Sequence, residues 1–215
     1  MNKKEDIDSL IETMKAKGNL TSERVEKAMR KVPRHLFVSS KDKEKAYTDS
    51  PLSIGHGQTI SQPSVVAKMT EFLDVKEGDR ILEIGAGSGW QSAVLSRLVG
   101  SSGKVYTVEL IEGLAKNARE NINKAGIDNV EVVFGDGSIG LQKYAPYDSI
   151  ICTAVSPEIQ DEWVEQLKVG GRLVTPLGEI VLHSLVVFEK KDDGLDLIKK
   201  ERGYRFVKLR GTKGF

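Results

Sequence analysis

Three acidic residues in this chain stand where a nucleotide-type ligand could use them. Glu83 lies two positions before the glycine loop Gly85-Ala86-Gly87-Ser88-Gly89, Glu109 follows Gly89 by 20 residues, and Asp136, in "FGDGS", follows Glu109 by 27. Glycines placed after a strand and before a helix let the backbone turn tightly and let a ligand reach the main chain without a Cβ in the way. The dinucleotide fingerprint requires glycine where this chain has Trp90. A pyrophosphate seated on a helix N-terminus also gains nothing from a carboxylate beside it, so Glu83 is better matched to a cation. S-adenosylmethionine carries a sulfonium and an ammonium group and no phosphate. Glu83 could hold that amino group directly or through water; its alternative role is to hold the loop by backbone hydrogen bonds. Glu109 could accept both hydroxyls of a ribose, a logic that NAD and S-adenosylmethionine sites share. Asp136 could accept from an adenine amino group, or simply form an Asp-Gly turn. Three acids at three successive strand ends mark the carboxyl edge of a sheet, where ligands bind.

A second stretch, "SIGHGQTISQPS" from Ser53 to Ser64, holds four hydroxyl residues, two amides and a histidine around only two isoleucines. Loops of this length in a compact chain usually serve a function. Pro63 suits the first position of a helix, so Ser61 could cap that helix. No Gly-x-Ser-x-Gly elbow surrounds Ser61, which argues against a nucleophile. His56 reads as a turn residue, and His56→Gln is expected to be nearly silent. Cys152, in "YDSIICTAV", reads as a buried thiol rather than a reactive one. Trp163 reads as core.

The elements that must position these residues alternate. "RILEIG", "KVYTVEL", "VEVVFG", "YDSIICTAV" and "RLVTPLG" are short apolar runs with a β-branched bias, and "SGWQSAVLSRLVG", "EGLAKNARENINKAG" and "EIQDEWVEQLKVGG" between them have helical spacing. Strands alternating with helices imply right-handed crossovers and a mostly parallel sheet covered on both faces. The tail from Glu179 alternates without an intervening helix, so antiparallel strands are expected, the first two joined near Asp193-Gly194. Ahead of the sheet, Ile7, Leu10, Ile11 and Met14 predict a helix over residues 6–17. Val25, Met29 and Val32 predict another, and Val65, Val66, Met69, Phe72 and Leu73 a third. "VPRHLFV" and "KDKEKAYTDSPLSIG" read as irregular.

The 215 residues suit one domain, divided into 1–78 (helices and the polar loop), 79–178 (the ligand-binding core) and 179–215 (the antiparallel strands). Lys and Arg number 32 against 31 acids, which disfavours a dedicated nucleic-acid binder. The chain has no 18-residue apolar run, and "MNKKEDIDSLIETMK" lacks the apolar centre of a signal peptide. A cytoplasmic protein without membrane or nucleic-acid partners, acting as a monomer and using no metal, is the expectation.

With these motifs in view, the chain resembles class I S-adenosylmethionine-dependent methyltransferases and, more narrowly, the protein-L-isoaspartate O-methyltransferase family. The narrower likeness rests on "VPRHLFV", "AYTDSPLSIGHGQTISQP", "ILEIGAGSGWQSAVLSRLVG", "VYTVEL", "VVFGDGS", "VEQLKVGGRLVTPLG" and "FVKLRGTKGF", in the family's order. The resemblance implies an α/β fold with a doubly wound, mostly parallel, Rossmann-like seven-stranded sheet, an antiparallel C-terminal edge and an N-terminal helical extension. It implies S-adenosylmethionine as cofactor and S-adenosylhomocysteine as product. It puts cofactor contacts on Gln58, Thr59, Ile60 and Ser61, on the Gly85–Gly89 loop, on Glu109 with Leu110, and on Asp136 with Gly137, beside the Glu83 proposed above from its own chemistry. It assigns Ser61 to catalysis and Thr59, Ser61, Leu209 and Arg210 to substrate. Arg210 otherwise has the alternative of a surface ion pair. Departures from the family pattern are Trp90, the "VKL" of Val207–Leu209, and the final Phe215.

The reaction so implied is methyl transfer to the free α-carboxylate of L-isoaspartyl residues in damaged proteins and peptides, after which the ester cyclises to a succinimide. A carboxylate with a reference pKa of roughly 4 is already an anion at neutral pH and needs no general base, so a site poor in His and Cys is expected. The rivals are a tRNA methyltransferase, which would need a basic surface, and a non-catalytic S-adenosylmethionine-binding module, which would not need "GQTISQP". An NAD-dependent dehydrogenase is a distant third, because Trp90 breaks its fingerprint.

Overall fold

A computed structural model of the chain describes residues 3–178 and 182–215. Five parallel strands, β3 (Arg80–Ile84), β4 (Lys104–Glu109), β5 (Val130–Phe134), β6 (Tyr147–Cys152) and β7 (Leu167–Leu177), are followed by antiparallel β8 (His183–Lys191) and β9 (Gly194–Tyr204). Their order across the sheet is β5-β4-β3-β6-β7-β8-β9. The chain therefore reverses direction of travel at β3, which is paired in parallel with β4 on one side and β6 on the other. A crevice opens there, at the carboxyl ends of the strands. The parallel majority and the antiparallel edge agree with the pattern in the sequence, and the count of seven strands with what the resemblance implies. Glu179 to Val181, on which the expected antiparallel tail begins, lie outside the described residues.

The apolar run of β3 is buried on both faces, as a central parallel strand requires. Ile81 joins a large cluster with Leu10, Met29, Met69, Trp90 and Ile122, while Leu82 and Ile84 join a smaller one with Trp163, Leu173 and Leu209. The N-terminal helices α1 (Lys3–Ala16), α2 (Glu23–Arg30) and α3 (Pro63–Leu73) thus share the sheet's own core. Ser22 caps α2 by accepting from Val25 N, and Glu71 of α3 accepts from the backbone of Thr21 and Ser22 at 2.6 and 2.7 Å. Helices α4 (Trp90–Val99) and α5 (Glu112–Lys124) follow β3 and β4.

Two expectations are corrected. The helix expected over "EIQDEWVEQLKVGG" stops at Gln166: α6 is Asp161–Gln166, and Leu167 to Gly171 already belong to β7. Pairing with β6, which joins Tyr147 to Leu167 and Ser149 to Arg172, outweighs the helical spacing. The segment expected to be irregular holds two 3-10 turns, Arg34–Leu36 and Ser40–Lys45, and a hairpin of β1 (Leu52–Gly55) and β2 (Gln58–Ile60). His56 and Gly57 form its two-residue turn with φ of +55° and +72°, the positive pair that a tight hairpin needs. Gly57 therefore serves a defined turn.

Candidate active site

The crevice beyond β3 holds a cavity of about 590 Å³, large enough for a nucleoside-sized ligand. Its floor is the glycine loop. Gly85 N donates to Val108 O at 2.8 Å and Gly89 N to Ala86 O at 2.8 Å. Gly85 has φ +91°, and a Cβ there would lie 2.7 Å from Thr153 Oγ1, so glycine is required on both counts. Glu109, at the end of β4, accepts from Gly87 N at 2.9 Å through one oxygen and from Ile111 N at 3.0 Å through the other. Each oxygen keeps a further lone pair for a ligand hydroxyl.

Glu83 is fully buried and lines the cavity. Ser92 donates to its Oε2, while Oε1 has no partner. The buried Thr107 hydroxyl, in register beside it on β4, also lacks one. Burial pushes the Glu83 carboxyl up to about 8, with the Glu109 charge adding and the Ser92 hydrogen bond opposing. Glu83 makes no hydrogen bond to the loop backbone, so its alternative role of holding the loop is not seen. A buried carboxyl with one free oxygen facing a cavity is a receptor for a cationic donor group.

Over the loop lies the β1–β2 hairpin. The side chain of Ile54 approaches Gly87, where a Cβ would stand 3.4 Å from its Cδ1. Gln58, Thr59, Ile60 and Ser61 all line the cavity, with Ile60 buried in the main core and Thr59 exposed. The Ser61 hydroxyl is engaged by no described residue. Its expected capping of α3 is not made: the cap position is Gln62, and Asp49 instead accepts from Ser64 N at 2.9 Å. Leu110, Leu209 and Arg210 complete the lining. Leu209 is held by Leu209 N donating to Val155 O at 2.9 Å. A Cβ on Gly57 would lie 4.0 Å from Arg210 Nη2, so the guanidinium stands against the hairpin turn and pairs with no described acid.

Asp136 is hydrogen-bonded within the protein. Its Oδ1 accepts from Ser138 N and Oγ at 2.9 and 2.6 Å, and its Oδ2 from Thr212 N and Oγ1 at 2.7 and 2.8 Å. All four acceptor positions are spent on the protein, and Asp136 does not line the cavity, whereas Gly137 does. Burial alone would raise this carboxyl; the four donors outweigh it and hold it below its ordinary value. Through Thr212 it docks the C-terminal segment.

Sequence reasoning passed over Arg34, Asp49 and the partner of Trp163. Arg34 is fully buried, donating to Ala46 O at 2.6 Å and to Ser50 O and Ser61 O at 3.0 Å, with its guanidinium 5.1 Å from the Trp90 ring centroid. Burial lowers it to about 10, partly offset by Asp49, so it remains a cation at neutral pH. A lone Arg within the apolar "VPRHLFV" was the only signal. Trp163 is core as expected, and its Nε1 also donates to Gly137 O at 3.0 Å. Cys152 is buried and its thiol is pushed up to about 12 by burial, which leaves it unreactive. His56 is exposed and does not line the cavity; its Nε2 lies where a Cβ on Gly113 would be 3.2 Å away.

Comparison with known proteins bears directly on this geometry. The sequence model of the family described as protein-L-isoaspartate(D-aspartate) O-methyltransferase matches residues 4–214. The chain is 50% identical over 207 residues to protein-L-isoaspartate O-methyltransferase 2 of Archaeoglobus fulgidus, covering 96% of this chain and 93% of that protein. It is 47% identical to the protein-L-isoaspartate O-methyltransferase of Methanopyrus kandleri, over 96% of this chain and 92% of the relative. Among solved structures, a protein-L-isoaspartate O-methyltransferase superposes with a TM-score of 0.89 at 34% identity, over 97% of this chain and 67% of the other. A Plasmodium falciparum structure titled as a putative member in complex with S-adenosyl-L-homocysteine shares the fold at a TM-score of 0.84 and 24% identity, over 94% of this chain and 97% of the other.

Proposed function

The chain belongs to the protein-L-isoaspartate(D-aspartate) O-methyltransferase family, and from that premise we propose which of its residues carry the reaction. It is an S-adenosylmethionine-dependent enzyme that methylates the free α-carboxylate of L-isoaspartyl residues in damaged proteins and peptides, the step that initiates their repair. When bound, S-adenosylmethionine supplies an electrophilic methyl group on a sulfonium. The residues present fit it. The buried Oε1 of Glu83 would receive the cofactor's ammonium, Glu109 would receive its ribose hydroxyls, and Gly85, Ala86, Gly87, Ser88 and Gly89 would let it approach the main chain. Leu110, Ile60 and Gly137 would cover its apolar surfaces, and Gln58 and Thr59 would border it.

The reading rests on one observation: the unengaged Ser61 hydroxyl and the unpaired Arg210 guanidinium face the same cavity as the glycine loop. Arg210 attracts the substrate carboxylate, and Ser61, with Thr59 beside it, donates a hydrogen bond that aims it. Leu209 and the hairpin exclude water. No proton needs to be removed from a carboxylate at neutral pH, so the chain's contribution is positioning and desolvation. Asp136 acts indirectly, by docking the C-terminal segment that carries Leu209 and Arg210.

Residues 1–215 act as one catalytic domain, monomeric and cytoplasmic, on protein rather than nucleic-acid substrates. Among the described residues no helix is long and apolar enough to cross a membrane. Incubation with labelled S-adenosylmethionine and paired peptides bearing Asp or isoAsp at one position, with bulk tRNA alongside, tests the reading. Base-labile label confined to the isoAsp peptide is the expected outcome, and label on tRNA alone would overturn it.

A further inference from the structure

The residues around the cavity divide by charge along its length. Among the described residues its acids, Glu83 and Glu109, stand at the glycine-loop end, and its cations, Arg205, Lys208 and Arg210, all come from the C-terminal segment. Arg205, Lys208 and Arg210 are exposed. The ion pairs nearest in sequence engage Lys199 with Glu201 and Lys213 with Glu162, and among the described residues no acid pairs with any of these three. Lys208 Nζ instead lies 4.8 Å from the Phe215 ring centroid. The excess is local, because the whole chain has a net charge of only +1.

A single substrate carboxylate accounts for one cation, Arg210. Two are left over at the rim where the peptide on either side of the isoaspartate must pass. From residue 205 to residue 210 the backbone reaches at most about 18 Å, which matches about five residues of an extended peptide. We propose that Arg205 and Lys208 select isoaspartyl sites flanked by acidic side chains within about three positions. This selectivity rests on the methyl-transfer reading above and adds a sequence preference to it. Exposed charges of this kind act over roughly a Debye length, about 10 Å at 0.1 M salt, so the preference is carried mainly by encounter and binding and weakens as salt rises.

The test uses the full chain and three isoaspartyl peptides of equal length whose flanking residues are Glu, Gln or Lys. KM is expected to rise in the order Glu, Gln, Lys, with a Glu-to-Lys ratio of about tenfold near 20 mM salt and about twofold or less at 0.5 M, while kcat changes little. In the Arg205→Gln, Lys208→Gln double variant the low-salt ratio is expected to fall to about twofold. Equal KM values for the three peptides, a ratio insensitive to salt, or a ratio undiminished in the double variant would overturn the selectivity alone. Failure to methylate even the Gln-flanked peptide would overturn the methyl-transfer reading and the selectivity with it. The salt series uses the unaltered protein and so decides the matter even if the double variant does not fold.

Discussion

Arg34 donates to the carbonyl oxygen of Ser61 at 3.0 Å from a fully buried position. The same guanidinium serves Ala46 and Ser50, so one cation fixes the backbone on which the proposed aiming hydroxyl is mounted. A planar fork can satisfy several carbonyls at once, which a lysine cannot.

Arg34→Lys should therefore destabilise the protein by about 3 kcal/mol, because buried carbonyls are left unpaired. For a chain of this size that corresponds to a fall in Tm of roughly 6–12 °C. The rate constant should fall further than the cofactor affinity does. Calorimetry together with single-turnover kinetics checks both parts, and an unchanged Tm would remove Arg34 from its structural role.

Glu83 makes cofactor affinity depend on pH. With its carboxyl pushed up to about 8, most of the free enzyme carries a proton there at pH 6–7, and an ammonium partner favours the ionised form. Binding should then release close to one proton per site at pH 6.5, and affinity should climb as pH rises to about 8. The linkage on folding has the opposite sense. A carboxyl raised from 4.5 to about 8 gives stability that is complete below about 4.5 and is lost as pH rises toward 8. Glu83→Gln should abolish the proton release, weaken cofactor binding and raise the free protein's Tm at pH 8. Titration calorimetry in two buffers of different ionisation enthalpy measures the release.

Ser61→Ala is expected to lower kcat by roughly 10–100-fold, the worth of a hydrogen bond to a charged group, with little change in cofactor affinity. The fold should survive, since Ser61 caps no helix and its carbonyl, the group Arg34 holds, is retained. An unchanged kcat at saturating peptide would rule out the aiming role.

Asp136→Asn replaces one acceptor oxygen with an NH2 that faces the donors of Ser138 or Thr212. The C-terminal segment should loosen, with kcat/KM falling at least tenfold through KM while the main thermal transition shifts little. Because the carboxyl is held below its ordinary value, the docking is complete above about pH 4 and is lost as pH falls through the lowered value. Hydrogen exchange at Leu209 and Thr212 N–H groups, compared in the two proteins, reports the loosening directly.

The sheet and its switch point were legible because they depend on local signals: short β-branched runs, helical spacing and glycines at strand ends. Gly85, Glu83 and Glu109 stand where those signals put them. What stayed hidden depends on groups distant in sequence. Nothing near Arg34 announces that four segments, ending at Ala46, Ser50, Ser61 and Trp90, converge on it. The premature end of α6 at Gln166 is set by the neighbouring strand β6, not by the residues of the helix. Asp136 stands at the strand end that the sequence indicates, but its role in docking the C-terminal segment depends on Thr212, 76 residues further on.

The contact between Arg34 and Trp90 also bears on how the chain comes off the ribosome. Val32 O accepts from the Trp90 indole and Arg34 lies over its ring, so the contacts that seat the first three helices on the body of the protein cannot form until residue 90 and the sheet behind it have been made. The amino-terminal third of the newborn polypeptide must wait, exposed to proteases and chaperones, for sequence that is translated after it.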